Sequence, residues 1–261
     1  EIKDTYTIYA FAWGTGFDDT GCRYFCNNAA TTSYGVFSNK WLADYTGVQY
    51  ANLAIENIPR MESVLDEDTY KKYLGEAHFL RALYYFDLLT FYSGHKNVDP
   101  GIPLYTSMPD YDKSYMPRST PADVRRVMIQ DLEIAAENLP WRSYEKGRAS
   151  RSAALVLLGK VYLYAESYAK AAEVFTRVIS ENESSAEPYS LFGDYAKLFR
   201  QDGEDNNESV FVIDCINTYG NGSRLDLLYS NRSANCAGTN TSIPTKELVD
   251  FYLMSDGTAF N

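Results

Sequence analysis

The sequence predicts an all-α protein built from helical hairpins, with long irregular loops and a short β element. Three observations carry that prediction. Over residues 75–92, Ala77, Leu80, Tyr84, Leu88 and Phe91 form one apolar row at helical spacing, and Phe79, Leu83, Phe86 and Leu89 form a second. Two rows on adjacent faces describe a helix covered on most sides, in the middle of a helical assembly. Its polar residues Glu76, Arg81 and Asp87 then need partners wherever they are buried. Next, Ser119-Thr120-Pro121-Ala122-Asp123 has the chemistry of a helix start: a hydroxyl cap, proline in the first turn and an acid near the positive end. Finally, Leu158-Gly159, Tyr162, Ala171 and Phe175 stand at the offsets of a tetratricopeptide helix-turn-helix, with Leu155 and Val178 in neighbouring core positions. Small Gly159 and Ala171 permit close approach of two antiparallel helices, and Tyr162 and Phe175 wedge between them. One such hairpin cannot cover its own apolar faces, so the other helices must stack on it.

The chain reads as a single domain in three stretches. Residues 1–35 are rich in Gly, Thr, Asn and aromatics without a sustained period, and form an irregular segment. Residues 36–182 form the helical scaffold. Its first helix spans about 37–64 through Trp41, Tyr45, Val48, Ile55 and Ile58, with a kink or break at Pro59, and Trp41 sits on the apolar row as a core residue. The helix of 68–92 follows, then a proline-punctuated irregular stretch over 93–119. Further helices run from Ser119 to Leu139 and over about 150–166 and 167–180. Residues 183–261 are loop-rich: a short helix or turn at 195–199, a strand over 209–214, a polar loop over 217–242 and a last helix over about 245–253.

Composition removes several function classes. A formal charge of -11 over 261 residues, with no basic stripe, argues against nucleic acid. No apolar run approaches the length of a membrane span. The aromatic fraction of 15%, with 23 Tyr, suits half-buried surfaces and ligand-contacting loops. Cys22, Cys26, Cys215 and Cys236 contain no Cys-x-x-Cys, and with two His a structural zinc site is not expected. Their even number favours disulfides in an oxidising compartment, with three pairings open.

No catalytic pattern is present. Gly14-Thr15-Gly16 and Gly220-Asn221-Gly222 lack the third glycine of a dinucleotide fingerprint, and there is no phosphate loop, nucleophile elbow or His-Glu-x-x-His. His78 reads as a hydrogen-bonded core residue. The acidic loop over 202–208 lacks the glycine and distal glutamate of an EF-hand. The expectation is a protein without catalytic residues, cofactor or metal.

The pieces in order resemble the SusD/RagB family of outer-membrane nutrient-binding lipoproteins. The resemblance covers roughly 41–257. It lies in Ala51-Asn52 with Ile55 and Ile58, in Glu76-Ala77-x-Phe79-Leu80-Arg81-Ala82-x-Tyr84-Tyr85-Phe86-x-Leu88, and in Gly101-Ile102-Pro103-Leu104. It continues through Arg118-Ser119-Thr120, Asp131-Leu132-Glu133, Leu139-Pro140, Gly147-Arg148-Ala149, the stretch from Ala154 to Leu163, Asn207-Glu208-Ser209-Val210-Phe211, and Asp256-Gly257. The resemblance implies a tetratricopeptide-helix scaffold with loops that bind glycans at the bacterial surface without chemistry. It also implies a SusC-like TonB-dependent transporter as partner and an outer-membrane location through an N-terminal lipid. Family members are longer, so the lipidated cysteine and much of the C-terminal half are expected to lie outside this sequence; Cys22 has no preceding apolar signal and is not read as the lipid site.

The family's ligand residues vary, so physics selects the candidates. Sugars present flat C–H faces that stack on aromatic rings and hydroxyls that need directional donors and acceptors. Trp13 and Tyr24 are the stacking candidates and Asn27 and Asn28 the hydrogen-bonding ones, with Tyr219 and Arg232 closing a second side; packing of Trp13 onto the helices is the competing reading. Two other functions stand beside glycan delivery: a surface binder of peptides or another nutrient, and an α/α-toroid glycoside hydrolase. A toroid requires repeated hairpins with two acids at a barrel mouth, a pattern this chain lacks.

Overall fold

Local chemistry starts the helices where the sequence places them. The computed structural model describes residues 10–12, 35–94, 96–109, 115–143, 145–195, 197–199, 203, 206–213 and 242–244, with positions 246, 250, 252, 254, 257 and 258. Five α-helices follow one another among them: α1 (Gly35–Asn57), α2 (Glu67–Tyr92), α3 (Pro121–Asn138), α4 (Arg151–Tyr164) and α5 (Tyr168–Glu183). The Asp66 side chain caps α2 by accepting from the Thr69 amide, with Glu67 and Asp68 at the positive helix end. Thr120 caps α3 through the Asp123 amide, with Pro121 in its first turn, and Ser150 caps α4 through the Ala153 amide. Pro59 ends α1 earlier than expected: Ile58–Met61 form a separate 3-10 turn. The chain divides into two compact units, Glu1–Lys40 with Asp214–Asn261, and Trp41–Ile213. Within the first, strand β1 (Ala10–Ala12) pairs antiparallel with β2 (Ser242–Pro244), so the 1–35 stretch is not wholly irregular. The rest of that stretch, the four cysteines, and most of the expected 217–242 loop and 245–253 helix lie outside the described residues.

Helices α2, α3 and α4 carry the core of the second unit, with Phe79, Ala82, Tyr85, Leu88, Val124, Met128, Leu132, Leu155 and Val161 all buried. The connection from α4 to α5 is three residues, which folds the two helices back on each other. Gly159 is necessary for that approach: a Cβ there would lie 2.5 Å from the Phe175 ring. Ala171 is buried opposite, and Tyr162 is half-buried against the core. Gly47 does the same for α1, where a Cβ would lie 2.4 Å from the Tyr84 ring. Arg151 ties three helices at once. It donates to both Glu181 carboxylate oxygens on α5 (2.7 and 3.1 Å) and to the Ala136 carbonyl near the end of α3 (2.6 Å).

The two apolar rows of α2 are covered as expected, with Ala77, Phe79, Leu88 and Leu89 buried and Leu83, Tyr84 and Phe86 half-buried against the core; Leu80 is the exception and is exposed. The polar Arg81 and His78 are buried beside them, and both are paired. Asp131 on α3 receives Arg81 Nε at 2.8 Å and Nη2 at 2.6 Å, and His78 Nδ1 lies 2.7 Å from its Oδ1. Arg81 Nη1 donates to Asn52 Oδ1 on α1 at 2.9 Å. The expectation of a hydrogen-bonded core His78 therefore holds. Glu76 is likewise paired, with Arg148 at 2.9 Å; its partial burial pushes its carboxyl up against the opposing pull of that guanidinium.

One predicted element is corrected. Residues 209–213 form no strand. Among the described residues no segment pairs with them in a ladder, and Val210 and Phe211 pack on the helical core instead, where the Phe211 ring meets Phe79 edge-on at 5.1 Å. The tight paired turn before them is held by Asn207, which accepts from Arg142 and donates to the Pro188 carbonyl.

Two outcomes follow for stability. Arg81→Ala leaves the Asp131 carboxylate buried without its guanidinium, so urea unfolding should show a loss of about 3–5 kcal/mol; a loss below about 1 kcal/mol would contradict the account. Glu181 is held down at about 2, first by its hydrogen bond to Arg151 and then by Arg177. Its folded value lies below its unfolded one, so its contribution is complete above the ordinary glutamate range and disappears as pH falls towards 2. Glu181→Gln should flatten the fall in melting temperature over that acid interval, and a parallel pH profile would contradict the assignment.

Candidate functional site

The irregular segment 101–109 runs from buried Gly101 and Ile102 to exposed Thr106 and Ser107, and side chains from α1 and α2 fix its course. Tyr85 is fully buried, and its hydroxyl both donates to the Tyr105 carbonyl and accepts from the Tyr105 amide, each at 2.7 Å. Burial pushes the Tyr85 phenol well above its ordinary range, which keeps that hydroxyl neutral and able to donate. The Asn52 amide donates to the Tyr105 carbonyl at 2.9 Å, and Arg81 Nη1 donates to the Thr106 carbonyl at 3.0 Å. Glu56 accepts from the Met108 amide, and the Tyr45 hydroxyl donates to the Pro103 carbonyl, both at 2.7 Å. Further along, Gly101 and Ile102 exchange backbone hydrogen bonds with Ser119, which closes the segment against the start of α3.

Between this fixed segment and α1 opens a cleft of about 280 Å³, lined by Trp41, Tyr45, Val48, Gln49, Asn52, Pro103, Tyr105 and Pro109. Its three aromatic rings continue a row that starts at Tyr92 outside the lining. Tyr92 meets Trp41 edge-on at 5.0 Å, Trp41 leans on Tyr45 at 4.7 Å, and Tyr45 meets Tyr105 edge-on at 5.9 Å. Trp41 thus does pack against the core, as its place on the apolar row predicts, and also forms a cleft wall.

Two other clefts compare poorly as sites. One of about 190 Å³, near Phe86 and Tyr164, includes Arg125, whose guanidinium donates to Asn97 at 2.6 Å. Another of about 230 Å³ is lined by Arg142, Arg148, Glu187 and Tyr189. Its cations are already engaged: Arg148 pairs with Glu76, and Arg142 donates to Asn207 and lies 3.9 Å over the Tyr189 ring. Among the described residues no three His, Cys, Asp or Glu side chains converge as metal ligands. None of their helices is long and apolar enough to cross a membrane.

The residues selected from sequence for ligand contact, Trp13, Tyr24, Asn27, Asn28, Tyr219 and Arg232, all lie outside the described residues. The cleft joins residues about 60 positions apart, so no local motif announces it. The available signal was the Trp41, Tyr45, Val48, Asn52 series on one helix face, read as core alone.

The SusD-like family model, described as starch-binding and associating with the outer membrane, matches residues 18–163, more than half of the chain. The SusD-like protein P38 of Formosa agariphila is 32% identical over 161 residues, which is 61% of this chain and 29% of that protein. A SusD-like protein of Bacteroides ovatus is 27% identical over 187 residues, or 67% of this chain and 32% of that one. The matched part is thus about a third of the length of these curated relatives. Among solved structures, a laminarin-binding SusD-like protein is 26% identical with a TM-score of 0.81, covering 95% of this chain and 57% of that one. The surface glycan-binding protein A from Bacteroides fluxus shares the fold at 21% identity, with a TM-score of 0.79 over 96% of this chain and 55% of that one. A predominantly helical chain with this series of matched segments belongs to the SusD-like family.

Proposed function

We propose that this protein binds glycans at the bacterial cell surface without chemistry and delivers them to a SusC-like TonB-dependent transporter, tethered to the outer membrane by an N-terminal lipid. The observation that carries this reading is the family match over residues 18–163, whose description names starch binding and outer-membrane association rather than a reaction. The laminarin-binding neighbour supports a neutral glucan as the ligand class. The formal charge of -11 fits the same choice, because it disfavours polyanionic ligands. In this reading the whole chain acts as one domain, with the helices of 36–182 as a rigid frame for variable loops. Trp13 and Tyr24 stack on sugar faces, Asn27 and Asn28 hydrogen-bond to hydroxyls, and Tyr219 and Arg232 close the second side.

The test is calorimetry of the 261-residue protein against laminarin, starch and a panel of other polysaccharides, with chromatography of each mixture for released sugars. At least one glycan should bind, with no sugar released. Trp13→Ala and Tyr24→Ala should each weaken that binding about tenfold, or ~1.4 kcal/mol, with unchanged melting temperature. Sugar release that tracks the purified protein would overturn the binding-only reading. Binding of peptides with no glycan bound would replace the ligand class.

A further inference from the structure

The geometry points to a carbohydrate subsite for a single sugar ring in the cleft between α1 and the 101–109 segment, distinct from the loop residues proposed above. This inference rests on the glycan-binding reading and names a place for part of the ligand.

The chemistry of the described lining favours one kind of occupant. No charged side chain is among the described residues that line the cleft, so those residues offer no counter-charge to a phosphate, a carboxylate or an amine. A pure hydrocarbon would cover directional groups without satisfying them. Two such groups are open: among the described residues, neither the Trp41 indole N–H nor the Gln49 amide has a hydrogen-bond partner. The other polar groups of the wall are already used. Tyr45 donates to the Pro103 carbonyl, and Asn52 is held between Arg81 and the Tyr105 carbonyl.

What remains is a surface of ring faces and edges from Trp41, Tyr45 and Tyr105, with one open donor and one amide that both donates and accepts. The matching ligand is neutral, has a flat apolar face, and carries hydroxyls around its edge. A pyranose ring has all three properties. A volume of about 280 Å³ falls just below the range of drug-sized ligand sites, which begins at about 300 Å³, so the cleft takes one ring of a chain rather than several.

The wall is also preorganised. Tyr85, Asn52, Arg81 and Glu56 hold consecutive backbone groups from Tyr105 to Met108, so little ordering remains to oppose binding.

The test follows the indole 1H–15N signals of the protein while glucose and then laminari-oligosaccharides are added. The chain has three Trp, and Trp41→Phe assigns the signal of interest. The Trp41 signal should move with millimolar glucose while that of Trp141 stays in place. Gln49→Leu should weaken the glucose titration about fivefold with unchanged melting temperature, because Gln49 is exposed and its side chain makes no hydrogen bond among the described residues. If glycans bind but the Trp41 signal is static and Gln49→Leu is neutral, the subsite is wrong and the glycan reading survives. If no sugar of any length binds, both are overturned. A Trp41 signal that moves with peptides and not with sugars overturns the choice of occupant.

Discussion

The pairing of Arg81 with Asp131 is the constraint on which the second unit depends. Both side chains are almost wholly excluded from water, at 8% and 2% exposure, and removing such ions from solvent costs several kcal/mol each. The cost is offset only by complete coordination, and the coordination has fixed geometry. The guanidinium fork takes both oxygens of Asp131 on α3, the Asn52 amide oxygen on α1 and the Thr106 carbonyl of the irregular segment. Three helices and one loop must therefore arrive at the same point in one register. Apolar packing alone does not impose this, because hydrophobic contact is non-directional.

The consequences reach the surface. The residues that satisfy Arg81 also hold the backbone that forms one wall of the aromatic cleft. Asn52 accepts from Arg81 and donates to the Tyr105 carbonyl, so a single amide links the buried ion pair to a solvent-facing ring. Tyr85 secures the same residue from the other side through both its amide and its carbonyl. The scaffold and the cleft are thus one hydrogen-bonded construction.

How much of this was legible in the sequence varies by interaction range. The start of α3 was readable because Thr120 and Pro121 act within three or four residues of themselves, and Asp66 and Ser150 cap α2 and α4 over the same short range. The approach of α4 and α5 was readable because Gly159 and Phe175 lie in one hairpin. The need of Arg81 and His78 for buried partners was readable from their place on an apolar helix, but the partner was not, because Asp131 lies about 50 positions away. The 209–213 segment has strand-like residues, but Phe211 and Val210 find apolar partners on helices, and tertiary packing outweighs β propensity. The cleft was hidden for the same reason: Trp41 and Tyr45 acquire a facing wall only when Pro103 and Tyr105 fold over them. The loop candidates, from Trp13 to Arg232, rest on sugar chemistry and family resemblance alone.

The most direct measurement is native-state amide hydrogen exchange of the Asn52→Ala variant beside the unmodified protein. The account predicts that the Tyr105 and Met108 amides lose protection sharply while amides within α4 keep theirs, because Asn52 links the buried ion pair to the 101–109 segment specifically. Unchanged protection at Tyr105 and Met108, or an equal loss throughout the helices, would contradict the claim that this network shapes the cleft.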